Sequence, residues 1–305
     1  MNFDPRITPV RPDLAAKRLE GKVTAARFAE GEEHEVIDAQ APLRERPSPD
    51  APLMTEALLG ERVTVYEFDQ EGWAWGQLAG DGYVGWLPAN ALMPPRDAPT
   101  HKVVALRTLA FPGPSIKLPP IAMPPLGSRV AMSREQDRFA VSAVGFIPLG
   151  HLAPLAQREK DFVAVAERFL GVPYLWGGKT NLGLDCSGLV QVALGACGVP
   201  CPRDSDMQEN AFGTTIDIAQ ARRGDLVFWK GHVAIVRDGA NVIHANAFHM
   251  AVAVEPIATA LAPHRGGGQP RDQREADLGR SHFFRVGGKL ACGSPHQCHE
   301  VADHR

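Results

Sequence analysis

The 305-residue chain lacks several features, and each absence removes a class of function. Neither charge is in excess. Lys and Arg number 32 against 35 Asp and Glu, for a net charge of −3 at pH 7. No basic surface for a polyanion is therefore predicted, and nucleic acid is not an expected partner. No stretch approaches the roughly 18 apolar residues that a membrane-spanning helix requires. The segment from Met1 to Asp13 carries no basic region followed by an apolar run, so no secretory signal is read there and a cytoplasmic location is expected. The five cysteines are an odd count at spacings that make no paired framework, which fits a reduced compartment.

What is present is turn-forming residues: 30 glycines and 26 prolines, as expected of many short strands. The length suits two or three domains. Residues 1–33 read as an extended arm and a short helix, with Asp13 as its N-cap and Leu14, Ala15, Ala16 and Leu19 at helical spacing. Residues 34–96 change to short β-type runs, Glu35–Asp38 and Arg62–Glu67. A hairpin follows, Gly72–Leu78 and Tyr83–Pro88 across an Asp-Gly turn. This layout is similar to a bacterial SH3 domain, whose Gly-Trp signatures are partly matched. Residues 97–152 read as a second, weaker copy, because Gly145-Phe146-Ile147-Pro148 echoes Gly85-Trp86-Leu87-Pro88. From residue 157 the period becomes helical. Phe162, Val165, Ala166, Phe169 and Leu170 make one apolar face, and Gly171 and Pro173 end it. Strands return from residue 223 to about 257, with a closing strand near 281–286. Residues 264–280 read as a flexible loop and residues 289–305 as a disordered tail.

The chemistry centres on Asp185-Cys186-Ser187-Gly188, followed at once by an apolar helical run. Cys186 is thereby placed in the first turn of a helix, where unpaired N–H groups and the helix dipole favour a thiolate. His232 and His244 lie downstream in strand-like stretches, joined by a turn at Arg237–Ala240. A hairpin there sets them close to opposite each other, so that one can serve as base and the other can orient it. His249 is a competitor for the orienting role.

With these stretches, the chain resembles the NlpC/P60 family of cell-wall cysteine peptidases. The matching runs are Val172–Gly178, Leu184–Val190, Arg222–Trp229 and the two histidine segments, in the family's order. The resemblance implies an α+β fold, with two small SH3-like barrels followed by a papain-like catalytic domain at residues 157–288. It implies Cys186 as nucleophile, His232 as base and His244 as orienter, with Tyr174 helping at the oxyanion. In the branch of the family that carries SH3 domains, residues matching Asp185, Ser187, Asp204 and Ser205 hold a free N-terminal L-Ala and the D-Glu. Tyr83 and Glu56 of the first barrel are the matches for residues that close the cleft.

Plainer readings stand beside these. Asp185 can serve as an N-cap alone, Ser187 as a first-turn residue, and Tyr174 as a buried tyrosine with a satisfied hydroxyl. Tyr83 and Glu56 can be ordinary barrel-surface residues. Cys197 and Cys201 read as structural thiols. Cys292, His296, Cys298 and His299 fall in a tail that could take up zinc. The function implied is hydrolysis of the γ-D-glutamyl-diamino acid bond in murein-derived tri- and tetrapeptides, serving cell-wall recycling, with no metal or cofactor. The alternatives are a general peptidoglycan hydrolase, an amidase or acyltransferase on the same scaffold, and a non-catalytic wall-binding protein.

Overall fold

Residues 3–212, 214–229, 231–261 and 282–286 are described by the structure, a computed structural model. The expected flexible loop at 264–280, the tail at 289–305 and the tail's cysteines and histidines lie outside them.

Alternating apolar residues drive the first sheet. Its strands are β1 (Glu32–Val36), β2 (Gln40–Arg44), β3 (Leu53–Leu58), β4 (Arg62–Phe68), β5 (Trp73–Leu78), β6 (Val84–Pro88) and β7 (Leu92–Met93). They pair antiparallel in the order β3-β2-β6-β5-β4-β1-β7. Val36, Leu43, Val63, Ala74 and Leu87 point inward and are fully buried. The expected β5–β6 hairpin is present, its turn held by the Asp81 carboxylate accepting from the Tyr83 amide at 3.0 Å.

The N-terminal arm departs from expectation. Leu14–Ala16 is a strand, paired parallel with Arg27–Ala29, and only Lys17–Leu19 is helical, as a 3-10 turn. Asp13 caps nothing, because its carboxylate binds the Arg11 guanidinium. Leu14 is buried against Trp75 and Trp86, so packing on the barrel overrides the local helical spacing.

Residues 97–154 form two three-stranded sheets. One joins Arg129–Val130, His101–Val103 and Leu152–Pro154; the other joins Arg134–Gln136, Phe139–Ser142 and Gly145–Pro148. The echo seen in the sequence is real in local geometry. Strand Gly145–Pro148 passes through a 3-10 turn, Leu149–His151, into a further strand, as β6 passes through Ala89–Ala91 into β7. Six prolines between residues 112 and 125 contribute no N–H to any ladder, and the two sheets stay separate.

The C-terminal part has helix α1 (Phe162–Glu167), α2 (Cys186–Ala196), α3 (Ser205–Ala211) and α4 (Ile257–Ala260). Its sheet comprises β8 (Thr214–Ile216), β9 (Leu226–Trp229), β10 (His232–Val236), β11 (Asn241–Asn246), β12 (Ala251–Pro256) and β13 (His282–Arg285), in the order β8-β13-β9-β10-β11-β12. The Asp161 carboxylate caps α1 by accepting from the Val163 and Ala164 amides. Val163, Val165, Ala166 and Phe169 face the core, whereas Leu170, expected on that face, is exposed after the helix ends. Helix α2 packs Leu189, Val190 and Ala193 against Val233, Ile235, Ile243 and Ala245 of β10 and β11. That packing fixes the start of α2 relative to the sheet. Leu189→Ala is expected to lower unfolding free energy by about 2–5 kcal/mol, since it opens a cavity under α2. Urea denaturation measures this, and a loss below about 1 kcal/mol would show that the helix is held some other way.

Candidate active site

Cys186 is the first residue of α2, as its flanks predict. Asp185 is the N-cap, with φ −94° and ψ −177°, and its carboxylate accepts from the Gly188 amide at 2.7 Å. Gly188 has a steric reason: a Cβ there would collide with the Gly178 carbonyl.

Asp185 does far more than cap. One carboxylate oxygen also accepts from Arg203 at 2.9 Å. The other accepts from Arg203 at 2.8 Å and from the Gly177 amide at 2.8 Å. Arg203 further donates to the Ser187 hydroxyl at 3.0 Å, the Gly178 carbonyl at 3.2 Å and the Thr55 hydroxyl of β3 at 2.9 Å. Arg203 is only 1% exposed. Asp185 and Ser187, expected with Asp204 and Ser205 to hold the L-Ala and D-Glu of a substrate, have a structural partner that the expectation did not include. Their polar atoms are committed to a buried guanidinium, which fits a carboxylate bidentately. Sequence reasoning passed over Arg203 because one arginine in a loop reads as solvated. Its position directly before Asp204 and Ser205 was the available signal.

The thiol environment also differs from expectation. Burial, and then the Asp185 carboxylate, push the Cys186 thiol up to about 12. The Val233 and Ser187 amides and the Arg203 charge pull the other way without prevailing. Cys186 at rest is thus a thiol, despite its place at a helix start. The Val233 contact sets the sulfur against β10, one residue from His232.

His232 and His244 meet as expected. His232 Nε2 lies 2.9 Å from His244 Nδ1. The β10–β11 turn at residues 237–240 is present, with Asp238 accepting from the Ala240 and Asn241 amides. The pairs Ile235↔Ile243 and Val236↔Val242 make the two histidines diagonal rather than directly opposite. The Trp229 ring packs on His232, with centroids 4.5 Å apart. Burial and the neighbouring His244 hold His232 well below the ordinary histidine range, so it is neutral. Beyond His244 stand Glu255 at 2.6 Å from Nε2 and the Asn246 side chain at 2.9 Å, neither anticipated from the sequence. His249 does not reach His232. Its backbone N–H binds Asn246, and its ring stands 3.9 Å from Glu255.

The first barrel abuts this region. Tyr83 and Glu56, for which a surface role was an alternative, are buried, at 1% and 4% exposure. The Tyr83 hydroxyl donates to Asp204 at 3.0 Å, and Arg6 of the N-terminal arm donates to the same Asp204 oxygen at 2.9 Å. Burial raises the Asp204 carboxyl against the pull of Arg203, Tyr83 and Arg6. Glu56 accepts from the Lys179 amide at 2.8 Å and from Gln40 at 2.9 Å, and burial raises its carboxyl too. Gly177, with φ +78°, lies so close to the Leu53 carbonyl of β3 that a Cβ would clash. Ser205 opens α3 and is half-buried. Tyr174 is half-buried beside the catalytic-domain core, and its amide donates to the Met250 carbonyl. Cys197 and Cys201 are free thiols, and among the described residues no group of side chains is arranged to hold a metal.

The sequence model of the NlpC/P60 family matches residues 171–265, which hold all of Cys186, His232 and His244. The chain carries an NlpC/P60 domain. The model for the bacterial dipeptidyl-peptidase SH3 domain matches residues 43–92, ahead of that NlpC/P60 domain. A γ-D-glutamyl-L-lysine dipeptidyl-peptidase of Bacillus cereus is 28% identical over 240 residues, covering 68% of this chain and 71% of its own length. The Bacillus subtilis protein of the same name is 29% identical over 218 residues, covering 64% and 73%. The crystal structure of an NlpC/P60 family protein from Bacillus cereus superposes with a TM-score of 0.66 at 20% identity. It covers 84% of this chain and 99% of that one, so the fold is shared across barrel and NlpC/P60 domain together.

Removing one partner of the buried Arg203–Asp185 pair leaves an uncompensated charge. Arg203→Ala is expected to cost about 3–5 kcal/mol, and Arg203→Met combined with Asp185→Asn to recover most of it. Chemical denaturation of the three proteins tests this. A single substitution no worse than the double would mean that the pair is not what holds the start of α2.

Proposed function

We propose that the protein is a cysteine peptidase that cuts the γ-D-glutamyl-diamino acid bond of murein-derived peptides bearing a free N-terminal L-Ala. The observation that carries the reading is Cys186 at the head of α2, its sulfur against β10, with His232 on that strand hydrogen-bonded to His244. The names of the two Bacillus relatives support the bond.

The chemistry follows from the resting charges. Thiol and imidazole are both neutral, because each is buried. The proton passes from Cys186 to His232 as the sulfur attacks the D-Glu γ-carbonyl, so no free thiolate is formed, and the imidazolium at His232 is balanced by the oxyanion on the substrate. His232 then returns the proton to the leaving diamino acid amine. Water attacks the thioester with His232 as base. The Cys186 amide, at an unpaired helix start, and the Tyr174 hydroxyl are the donors assigned to the oxyanion.

The barrel supplies the closed end. Asp204, Glu56 and Tyr83 lie where the barrel meets the catalytic domain, and a carboxylate there suits an ammonium. Ser205 and Ser187 stand beside them. Asp185 contributes through Arg203 rather than directly. We read residues 97–152 as a second SH3-like unit, on the strength of the repeated strand, 3-10 turn and strand. A preference for short free-amine peptides would suit turnover of soluble cell-wall peptides, and we read the role as that, in the cytoplasm.

Tri- and tetrapeptides with and without an acetylated L-Ala amine, read by mass spectrometry, test the substrate. Acetylation is expected to lower kcat/KM on the order of a hundredfold, since it removes the charge facing Asp204. Comparable cleavage of the acetylated peptide, or of cross-linked wall, would make the protein a general hydrolase. Tyr83→Phe deletes only the hydroxyl that meets Asp204 and should raise KM with little change in kcat. Cys186→Ala should abolish turnover; residual activity above a few per cent of wild type would remove that residue from the mechanism.

The pH profile is a separate test. A histidine held below its usual range is neutral, and so able to act as base, down to a pH below about 6.5. The acid limb of kcat/KM is therefore expected below that value, and a limb at or above it would contradict a desolvated His232.

A further inference from the structure

We propose that Glu255 is a positioning residue that sets the direction of every hydrogen bond from His244 to His232, and thereby leaves His232 Nδ1 as the basic nitrogen. The proposal rests on the assignment of Cys186 and His232 as the reacting pair, and adds a fourth member behind them.

The argument is one of donors and acceptors. Glu255 Oε1 lies 2.6 Å from His244 Nε2, and His244 Nδ1 lies 2.9 Å from His232 Nε2. A carboxylate only accepts, so an ionised Glu255 requires the proton on His244 Nε2. With a single proton on its ring, His244 has a lone pair at Nδ1, which requires the proton on His232 Nε2. The one remaining ring nitrogen of His232 is Nδ1, and it holds a lone pair for the thiol proton. When Cys186 gives up that proton, His232 becomes a cation whose Nε2–H still donates to His244, and His244 still donates to Glu255. No bond in the chain has to reverse.

A competing donor makes Glu255 necessary. The Asn246 amide nitrogen stands 2.9 Å from the same His244 Nε2, and its orientation is fixed because its oxygen accepts from the His249 backbone N–H at 2.8 Å. Acting alone, Asn246 would donate to Nε2 and move the His244 proton to Nδ1. His244 would then donate to His232 Nε2, and His232 would carry its proton at Nδ1, facing the thiol with a donor and unable to act as base. The carboxylate and the amide thus favour opposite directions, and the 2.6 Å contact decides for Glu255.

The placement has a backbone basis. Glu255 pairs across β11–β12 with Val242, and His244 pairs with Ala253, so Glu255 and His244 are diagonal neighbours on one face. The ionisable groups around His244 are His232 from β10, Glu255 from β12 and His249 from the following loop, whose ring is 3.9 Å from Glu255. Trp229 of β9 adds an uncharged wall.

The test reads ring protons directly. In wild-type protein labelled with 15N-histidine, two-dimensional NMR near neutral pH should show His232 and His244 both protonated at Nε2 and bare at Nδ1. A proton on His232 Nδ1 in the wild type would overturn the proposal, with no variant or substrate needed. Glu255→Ala should move the His244 proton to Nδ1 and lower kcat on the order of a hundredfold, with KM within about threefold. Glu255→Gln keeps an acceptor oxygen, and should retain the Nε2 protons and most of the lost kcat. Unchanged tautomers and kcat in Glu255→Ala would assign Glu255 a packing role only. Wild-type tautomers as expected, but no cleavage of any peptide, would fault the substrate assignment and leave Glu255's role standing.

Discussion

The buried contact between Arg203 and Asp185 is the constraint on which the arrangement depends. It ties four otherwise separate pieces to one guanidinium: the cap of α2, the Gly177–Gly178 loop, the loop before α3, and β3 of the barrel through Thr55. Each piece bears on the site. The cap places Cys186, the loop before α3 carries Asp204, and β3 carries Glu56. A guanidinium has five donors in one plane, and here four neighbouring groups use them. No apolar residue of similar volume could hold these backbone and side-chain acceptors in common. The pair is therefore better understood as a device for registering two domains than as a source of net stability.

The electrostatics of the reacting residues follow from the same burial. A helix start and nearby amides favour a thiolate, but desolvation and the Asp185 carboxylate outweigh them at Cys186. A local motif reports the first influence and not the second, because the second depends on what covers the sulfur. The same separation explains much of what could be read from the sequence. The α2 start, the β5–β6 hairpin, the turn between β10 and β11 and the closing strand β13 all rest on local patterns: a cap, an Asp-Gly turn, alternation of apolar residues. They stand where the pattern placed them.

What was not legible depends on distant partners. Leu14–Ala16 has helical spacing, yet its amides and side chains find the barrel and the Arg27–Ala29 segment first. Arg6 lies about two hundred positions from Asp204, and no pattern links them. Arg203 reads as a surface loop residue until its partners are known. Glu255 left a faint trace, the one charge in an otherwise apolar strand, Ala251–Pro256. A carboxylate there needs a partner, and the partner is a histidine on the next strand. The resemblance to a known family pointed to Tyr83 and Glu56, which composition and spacing alone would have left on the barrel surface.

The protonated state of Cys186 has a consequence for the protein's chemical durability. Peroxide and disulfides react with the thiolate form of cysteine, and a sulfur held as a thiol, nearly out of reach of solvent, offers them little. Many thiol enzymes keep an ionised sulfur and with it a standing vulnerability to sulfenic acid formation. On the mechanism proposed for this protein, the nucleophile is generated only as the proton leaves for His232. The same burial that raises the thiol therefore also limits the form of the sulfur that oxidants attack.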